Sequence, residues 1–278
     1  MNAIARLQRM SHGSHFRALT LRGGEAAAPI DPFLAVDHAW MSGPPFPPHP
    51  HAGFSAVSYL FPDSDTAIDN RDSLGTRNLI QPGGLHWTAA GRGVVHEEVP
   101  AEPGKTVHML QIFINLPRER QDAPPFALNI APEDVPVVQL PGATVRVPLG
   151  SFADALSPLV PPTDVCMLDI SLEAGAEVRV PLLTGHTAFI MPIDGKVWVD
   201  GQPFSLAEAG LPVSLSQGED RVVTLCAKQG NARAVLFSGV PLRQPVYWQG
   251  PFALASAEAL AETIEAYRRG AFGTLQPR

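Results

Sequence analysis

The 29 prolines and 24 glycines spread through the 278 residues constrain this chain more than any other feature. Proline locks φ and removes a backbone donor, while glycine admits the conformations of tight turns. Between these breaks lie short apolar runs with little helical periodicity, so the chain reads as all-β with many turns. Its length suits one large or two ordinary domains. With 45% hydrophobic and 17% charged residues it is globular and able to bury a sizeable core.

Taken in order, His15 to Leu21 is expected to be an edge strand and Gly23 to Asp31 a loop. Pro32 to His38 reads as a buried strand leading to a loop stiffened by prolines 44, 45, 47, 48 and 50. Strand-like runs follow at Phe54 to Phe61, Thr66 to Asp72, Arg77 to Gln81, Val94 to Glu98 and Thr106 to Asn115. Leu116 to Gly142 is rich in Pro and charge, lacks a period, and reads as the connection between two halves, 1–120 and 121–278. The second half shows runs at 165–172, 178–182, 188–193, 196–199, 221–227 and 232–237. Two Asp-Gly steps there, Asp194-Gly195 and Asp200-Gly201, carry a hairpin signal. About eight strands per half point to two small β-barrels or sandwiches. The tail differs: Ser256 is a candidate N-cap, Leu260, Ile264 and Tyr267 share one helical face, and Gly270 suits the C′ position. An amphipathic helix of about 13 residues is expected there, packed on a barrel.

Two couples of possible metal ligands flank the first half's centre, His49-x-His51 and His96-x-Glu98. Residues two apart in a strand point to the same face, so each couple offers two ligand atoms to one point. Two such strands facing one cavity can hold one ion. Three imidazoles and a carboxylate suit Fe(II), and equally nickel, copper, manganese or zinc, and leave about two octahedral positions open for a substrate or dioxygen. With Fe(II) the site carries roughly +1, which favours an anionic ligand such as a phenolate. Glu97, of opposite parity, is expected to face away.

The remaining polar residues have plainer readings. His86, after a tight turn, is expected to have a surface or hydrogen-bonding role rather than to line a pocket. His108 is expected to be a satisfied core or pocket-wall histidine, and Asp37-His38 a local hydrogen bond. Arg92 in Gly91-Arg92-Gly93 either meets an anionic substrate or belongs to a structural turn. Cys166 and Cys226 read as buried free thiols of a cytoplasmic protein. A net charge of −7 argues against a broad nucleic-acid face, no run approaches a membrane span, and Met1 to Met10 has no apolar h-region.

Several motifs in order carry a family resemblance. They are Asp31-Pro32-Phe33-Leu34, Pro48-His49-Pro50-His51-x-Gly53-Phe54, Arg71-Asp72-Ser73-Leu74-Gly75 and Trp87-x-Ala89-Ala90-Gly91-Arg92-Gly93-x-Val95-His96-x-Glu98. Gln111 to Pro117, Trp248-x-Gly250-Pro251-Phe252 and Tyr267-Arg268-x-Gly270-x-Phe272-Gly273 extend them almost to the end. The chain resembles the pirin family of the cupin superfamily, which includes quercetinase-like proteins. The resemblance implies two tandem cupin barrels, the first holding one iron through His49, His51, His96 and Glu98. The second has a single histidine, His186, and is expected to be free of metal. One departure stands out. Family members often have Arg and Glu where this chain has Ala52 and Ser55, so a charged pair near the metal is missing and the choice of substrate is open.

The resemblance implies a dioxygenase acting on a small phenolic substrate such as a flavonol, with Glu98 as a ligand; that Glu98 also takes the substrate proton is a further expectation. The alternative is a non-catalytic redox sensor whose iron controls affinity for a regulatory protein.

Overall fold

A computed structural model describes residues 3–23, 29–44, 46–208, 210–215 and 218–276. Part of the loop expected at Gly23 to Asp31, and Pro45, lie outside the described residues. Among the described residues the fold is β throughout, with two 3-10 turns and one helix, Ala257–Arg268. Contacts divide the chain into two units. One comprises Met1–Gln8, Leu21–Pro32 and Glu133–Pro241, and the other Arg9–Thr20, Phe33–Pro132 and Leu242–Arg278. The division is therefore not a single cut near residue 120. The opening strand Ala3–Arg6 pairs with Gly210–Ser214 in the later unit, and the terminal helix belongs to the earlier one.

Each unit pairs a seven-stranded antiparallel sheet with a four-stranded one. In the later unit Val145, Leu168 and Ile190 of the larger sheet share one core with Val180, Val199, Val223 and Leu225 of the smaller. In the earlier unit Ala39, Leu60 and Met109 of the larger sheet pack on Ile68 and Ile80 of the smaller. Alternating burial along Glu177–Leu182 is the period-2 signature of a strand with one face on the core.

Most expected strands are found within a residue or two. The exceptions have physical causes. Phe16–Arg22 is not an edge strand, because Gln8–His12 adds beyond it. The stretch 116–142 holds two strands, Phe126–Ile130 and Val137–Leu140, paired to Leu85–Ala89 and Ala143–Leu149. Their prolines fall just before or after the paired residues, so the ladders survive while the periodicity is diluted. The Asp200-Gly201 step makes the expected hairpin between Val197–Val199 and Gln202–Phe204, with φ +48° and +82° at its two residues. The Asp194-Gly195 step does not. It hands the chain from the seven-stranded sheet to the four-stranded one, and Gly195 is required because a Cβ there would overlap the Asn231 carbonyl oxygen.

The terminal helix matches its sequence signals. The Ser256 hydroxyl accepts from the Ala259 N–H at 3.1 Å, and Gly270 takes φ +77° beyond the C-cap Arg269. Ala259, Leu260 and Ile264 pack on Ala52, Val95, Phe252, Leu254 and Phe272. The hairpin Tyr247–Gln249/Phe252–Leu254 before it runs against the segment 52–53. The Ala253 N–H donates to the Ala52 carbonyl at 3.2 Å, and Gly53 has φ +83° with its missing Cβ aimed at the Ala253 carbonyl. Gly53→Ala is expected to lower stability by about 1–3 kcal/mol, read as a reduced urea midpoint at unchanged slope.

Candidate metal centre

The two ligand couples lie on hydrogen-bonded neighbours. The strands His49–His51 and Val94–Pro100 pair antiparallel, with His96 opposite His49 and Val94 opposite His51. Directly opposed residues of an antiparallel pair have Cβ atoms about 4.5–5.5 Å apart on one face. The register therefore points His49 and His96 at the same space, and His51 joins them one pleat along. One ring nitrogen from each of the three lies within 4.8 Å of the others. The Nε2 atoms of His49 and His96 are 3.2 Å apart.

All three imidazoles are held neutral, which is the form that binds metal. Burial lowers the His49 pKa, partly offset by the Pro47 carbonyl. Burial, then the neighbouring His49, lowers that of His51 to about 3. Burial, then His51, His49 and His86, holds His96 well below the usual histidine range. The Nδ1 of His49 lies 3.0 Å from the Pro47 carbonyl oxygen. Only an N–H can bind a carbonyl, so Nδ1 carries the proton and Nε2 presents a lone pair toward His96.

This arrangement fits a divalent cation. Nitrogens about 2.0–2.1 Å from one ion and at right angles to each other stand about 3 Å apart, close to the His49–His96 separation. The buried Nδ1 of His96 has no hydrogen-bond partner among the described residues, which is otherwise a poor use of a polar atom.

Glu98, on the same face of the strand as His96, is not a member of the histidine cluster. Its carboxylate oxygens lie 2.9 and 2.7 Å from the Ser58 hydroxyl, which donates to it. Desolvation raises its pKa to about 7, with the Ser58 hydrogen bond opposing the shift. Ser58 in turn sits opposite Gln111, whose amide donates to the Val57 carbonyl at 3.2 Å. Sequence reasoning singled out neither Ser58 nor the role of Gln111. The available signal was Ser58 as a polar residue in the fully buried run Phe54–Leu60.

The other candidates fall into place locally. Glu97 faces away and pairs with Arg71 at 2.8 Å. His86 is 1% exposed, with Nε2 3.0 Å from the Thr88 hydroxyl and Nδ1 bonded to Asn129. His108 Nε2 lies 2.7 Å from His38 Nε2, and its Nδ1 lies 3.0 Å from Asp63. Asp37 accepts from Thr20, which the local Asp37-His38 reading did not include. Arg92 is exposed on a turn whose backbone N–H donates to the Ala123 carbonyl at 3.0 Å. Ala52 and Ser55 are fully buried and bring no charge. Cys166 and Cys226 are half-buried free thiols, and burial pushes the Cys166 pKa up to about 11. No helix among the described residues is long and apolar enough to cross a membrane.

A pair of cupin-type barrels, one carrying a three-histidine cluster, defines a two-barrel cupin protein. Comparison with known proteins agrees. Residues 10–114 match the family model described as Pirin, and 167–273 the one described as Pirin C-terminal cupin domain. Rat (Rattus norvegicus) pirin is 33% identical, covering 95% of this chain and 90% of its own. A Pseudomonas aeruginosa protein provisionally named a quercetin 2,3-dioxygenase is 31% identical, covering 94% of this chain and 93% of its own. The crystal structure of a quercetin 2,3-dioxygenase from Acinetobacter baumannii superposes with a TM-score of 0.86 at 24% identity, over 99% of this chain and 98% of that one. The chain belongs to the pirin family.

Arg71→Met removes the 2.8 Å ion pair that Arg71 makes with the Glu97 carboxylate, a group 4% exposed. It is expected to cost about 2–4 kcal/mol of stability, measured by chemical denaturation.

Proposed function

We propose that this chain is a metal-dependent oxygenase of phenolic or enolic substrates. Its metal, Fe(II) in this reading, would be held by His49, His51 and His96, with Glu98 as the fourth ligand. The observation that carries the reading is the convergence of three neutral imidazoles on one face of a strand pair. The provisional quercetin 2,3-dioxygenase name of the Pseudomonas aeruginosa relative supports the substrate class.

When bound, Fe(II) supplies the dioxygen chemistry and a cationic partner for a substrate oxygen. The chain's own residues do the rest. The three histidines enter neutral and need lose no proton to bind. With no ion bound, burial raises the Glu98 pKa to about 7; as a ligand it would be held as the carboxylate, with one oxygen left to accept the hydroxyl proton of a phenol. Ser58 holds the carboxylate in place through its hydroxyl. The buried side chains of Phe54 and Ala56, on the same strand face as Ser58, limit water access and strengthen each polar contact.

The test is metal content by mass spectrometry on protein expressed with iron and purified anaerobically. Wild type is expected to hold near-stoichiometric metal, and the His49→Ala, His51→Ala double variant close to none. Dioxygen consumption with quercetin is expected for wild type. Glu98→Gln is expected to lower that rate by about 10²-fold or more, and metal analysis of the same sample separates loss of a ligand from loss of a base. Equal metal in wild type and double variant would overturn the site. Metal retained without dioxygen consumption on any phenolic substrate would overturn the enzymatic reading and turn attention to a regulatory protein partner.

A further inference from the structure

An aromatic wall runs outward from the histidine cluster, and its outer ring, Trp248, has no part in the chemistry above. Phe54 and Phe113 lie with ring centroids 5.2 and 5.5 Å from the His51 ring. Trp248 stands beyond them, 6.3 Å from Phe54 and 6.4 Å from Phe113. The wall begins in the core and ends in solvent, with Phe54 1% and Trp248 37% exposed. By contrast Trp87 and Trp198 are buried.

Trp248 is also held in place. Its indole N–H donates to the Gly250 carbonyl at 2.9 Å, fixing the ring on its hairpin. That hairpin is anchored beside the ligand strand by the bridge between Ala52 and Phe252 and by the close approach that only Gly53 permits. A large exposed aromatic side chain is thus presented at a set distance from a candidate metal site, one ring's width beyond the rings that touch His51. An exposed tryptophan with a fixed rotamer loses little entropy on stacking, and offset or edge-on ring pairs add about 0.5–1.5 kcal/mol beyond area burial.

We propose that Trp248 is a substrate-positioning residue: the outer stacking wall for planar ligands of two or more rings. The ligand's oxygen would sit at the histidine cluster, its first ring along Phe113, and its second ring against the indole. A single-ring phenol would occupy the inner part and not reach Trp248. The assignment rests on the metal-centre reading given above, and it names the shape of ligand that the site prefers.

The test uses full-length, metal-loaded protein under anaerobic conditions, with phenol and 2-naphthol as probes in isothermal titration calorimetry. Trp248→Ala is expected to weaken 2-naphthol binding about tenfold, equivalent to about 1.4 kcal/mol, and to leave phenol unchanged. Trp248→Phe, which keeps a ring, is expected to restore 2-naphthol affinity to within about threefold. Unchanged 2-naphthol affinity in Trp248→Ala, or an equal loss for phenol and 2-naphthol, would overturn the proposal. Metal analysis on the same samples keeps the two readings apart. Trp248-dependent 2-naphthol binding in a protein that holds no metal would sink the metal centre and support the stacking wall. Intact metal with affinity indifferent to Trp248 would do the reverse.

Discussion

The register between two short strands governs this molecule. With His96 opposite His49, three imidazoles share one small space, and each must be neutral because burial withholds the water that would solvate its charge. Buried imidazole nitrogens without a partner, such as the Nδ1 of His96, are costly to the fold. A one-residue slip would turn His96 and Glu98 away and bring Glu97 inward. The ion pair of Glu97 with Arg71 opposes that slip, since it holds the alternate face of the same strand.

A three-residue strand cannot hold such a register by its own ladder, and the chain's late residues supply the support. The helix Ala257–Arg268 and the hairpin before it bury Ala52 and Val95 in one cluster with Phe252, Leu254 and Phe272. Glycines make the approach possible. A Cβ at Gly53 would strike the Ala253 carbonyl, and one at Gly93 would overlap the Phe272 ring. One end of each ligand strand, the exit of His49–His51 and the entrance of Val94–Pro100, is thus pinned by residues about two hundred positions later in the chain. The prolines around His49 add stiffness from the other side and lower the entropy lost when the ligands are ordered.

The same couplings explain which parts were legible in the chain. His49-x-His51 and His96-x-Glu98 could be found because same-face spacing in a strand is local geometry. The terminal helix could be found because capping by Ser256 and a 3.6-residue apolar period are local as well. Two strands within 116–142 escaped because prolines near their ends blurred the alternation, and they are strands only because Leu85–Ala89 and Ala143–Leu149 lie ready to pair. Ser58 escaped because nothing in its neighbours signals a carboxylate forty residues ahead.

The two Asp-Gly steps show the limit most clearly. Either dipeptide favours a reversal, yet only Asp200-Gly201 joins paired strands, while Asp194-Gly195 passes the chain between sheets. By itself the sequence determined the β class, the turns, the helix and which histidines share a face, since all of these follow from φ preferences and side-chain periodicity within a few residues. Tertiary structure alone decided which strands are neighbours, that Ser58 hydrogen-bonds Glu98, and that Trp248 stands beside a site some two hundred residues earlier. Those outcomes depend on packing between distant segments, and contact free energy at long sequence separation leaves no local mark in the chain.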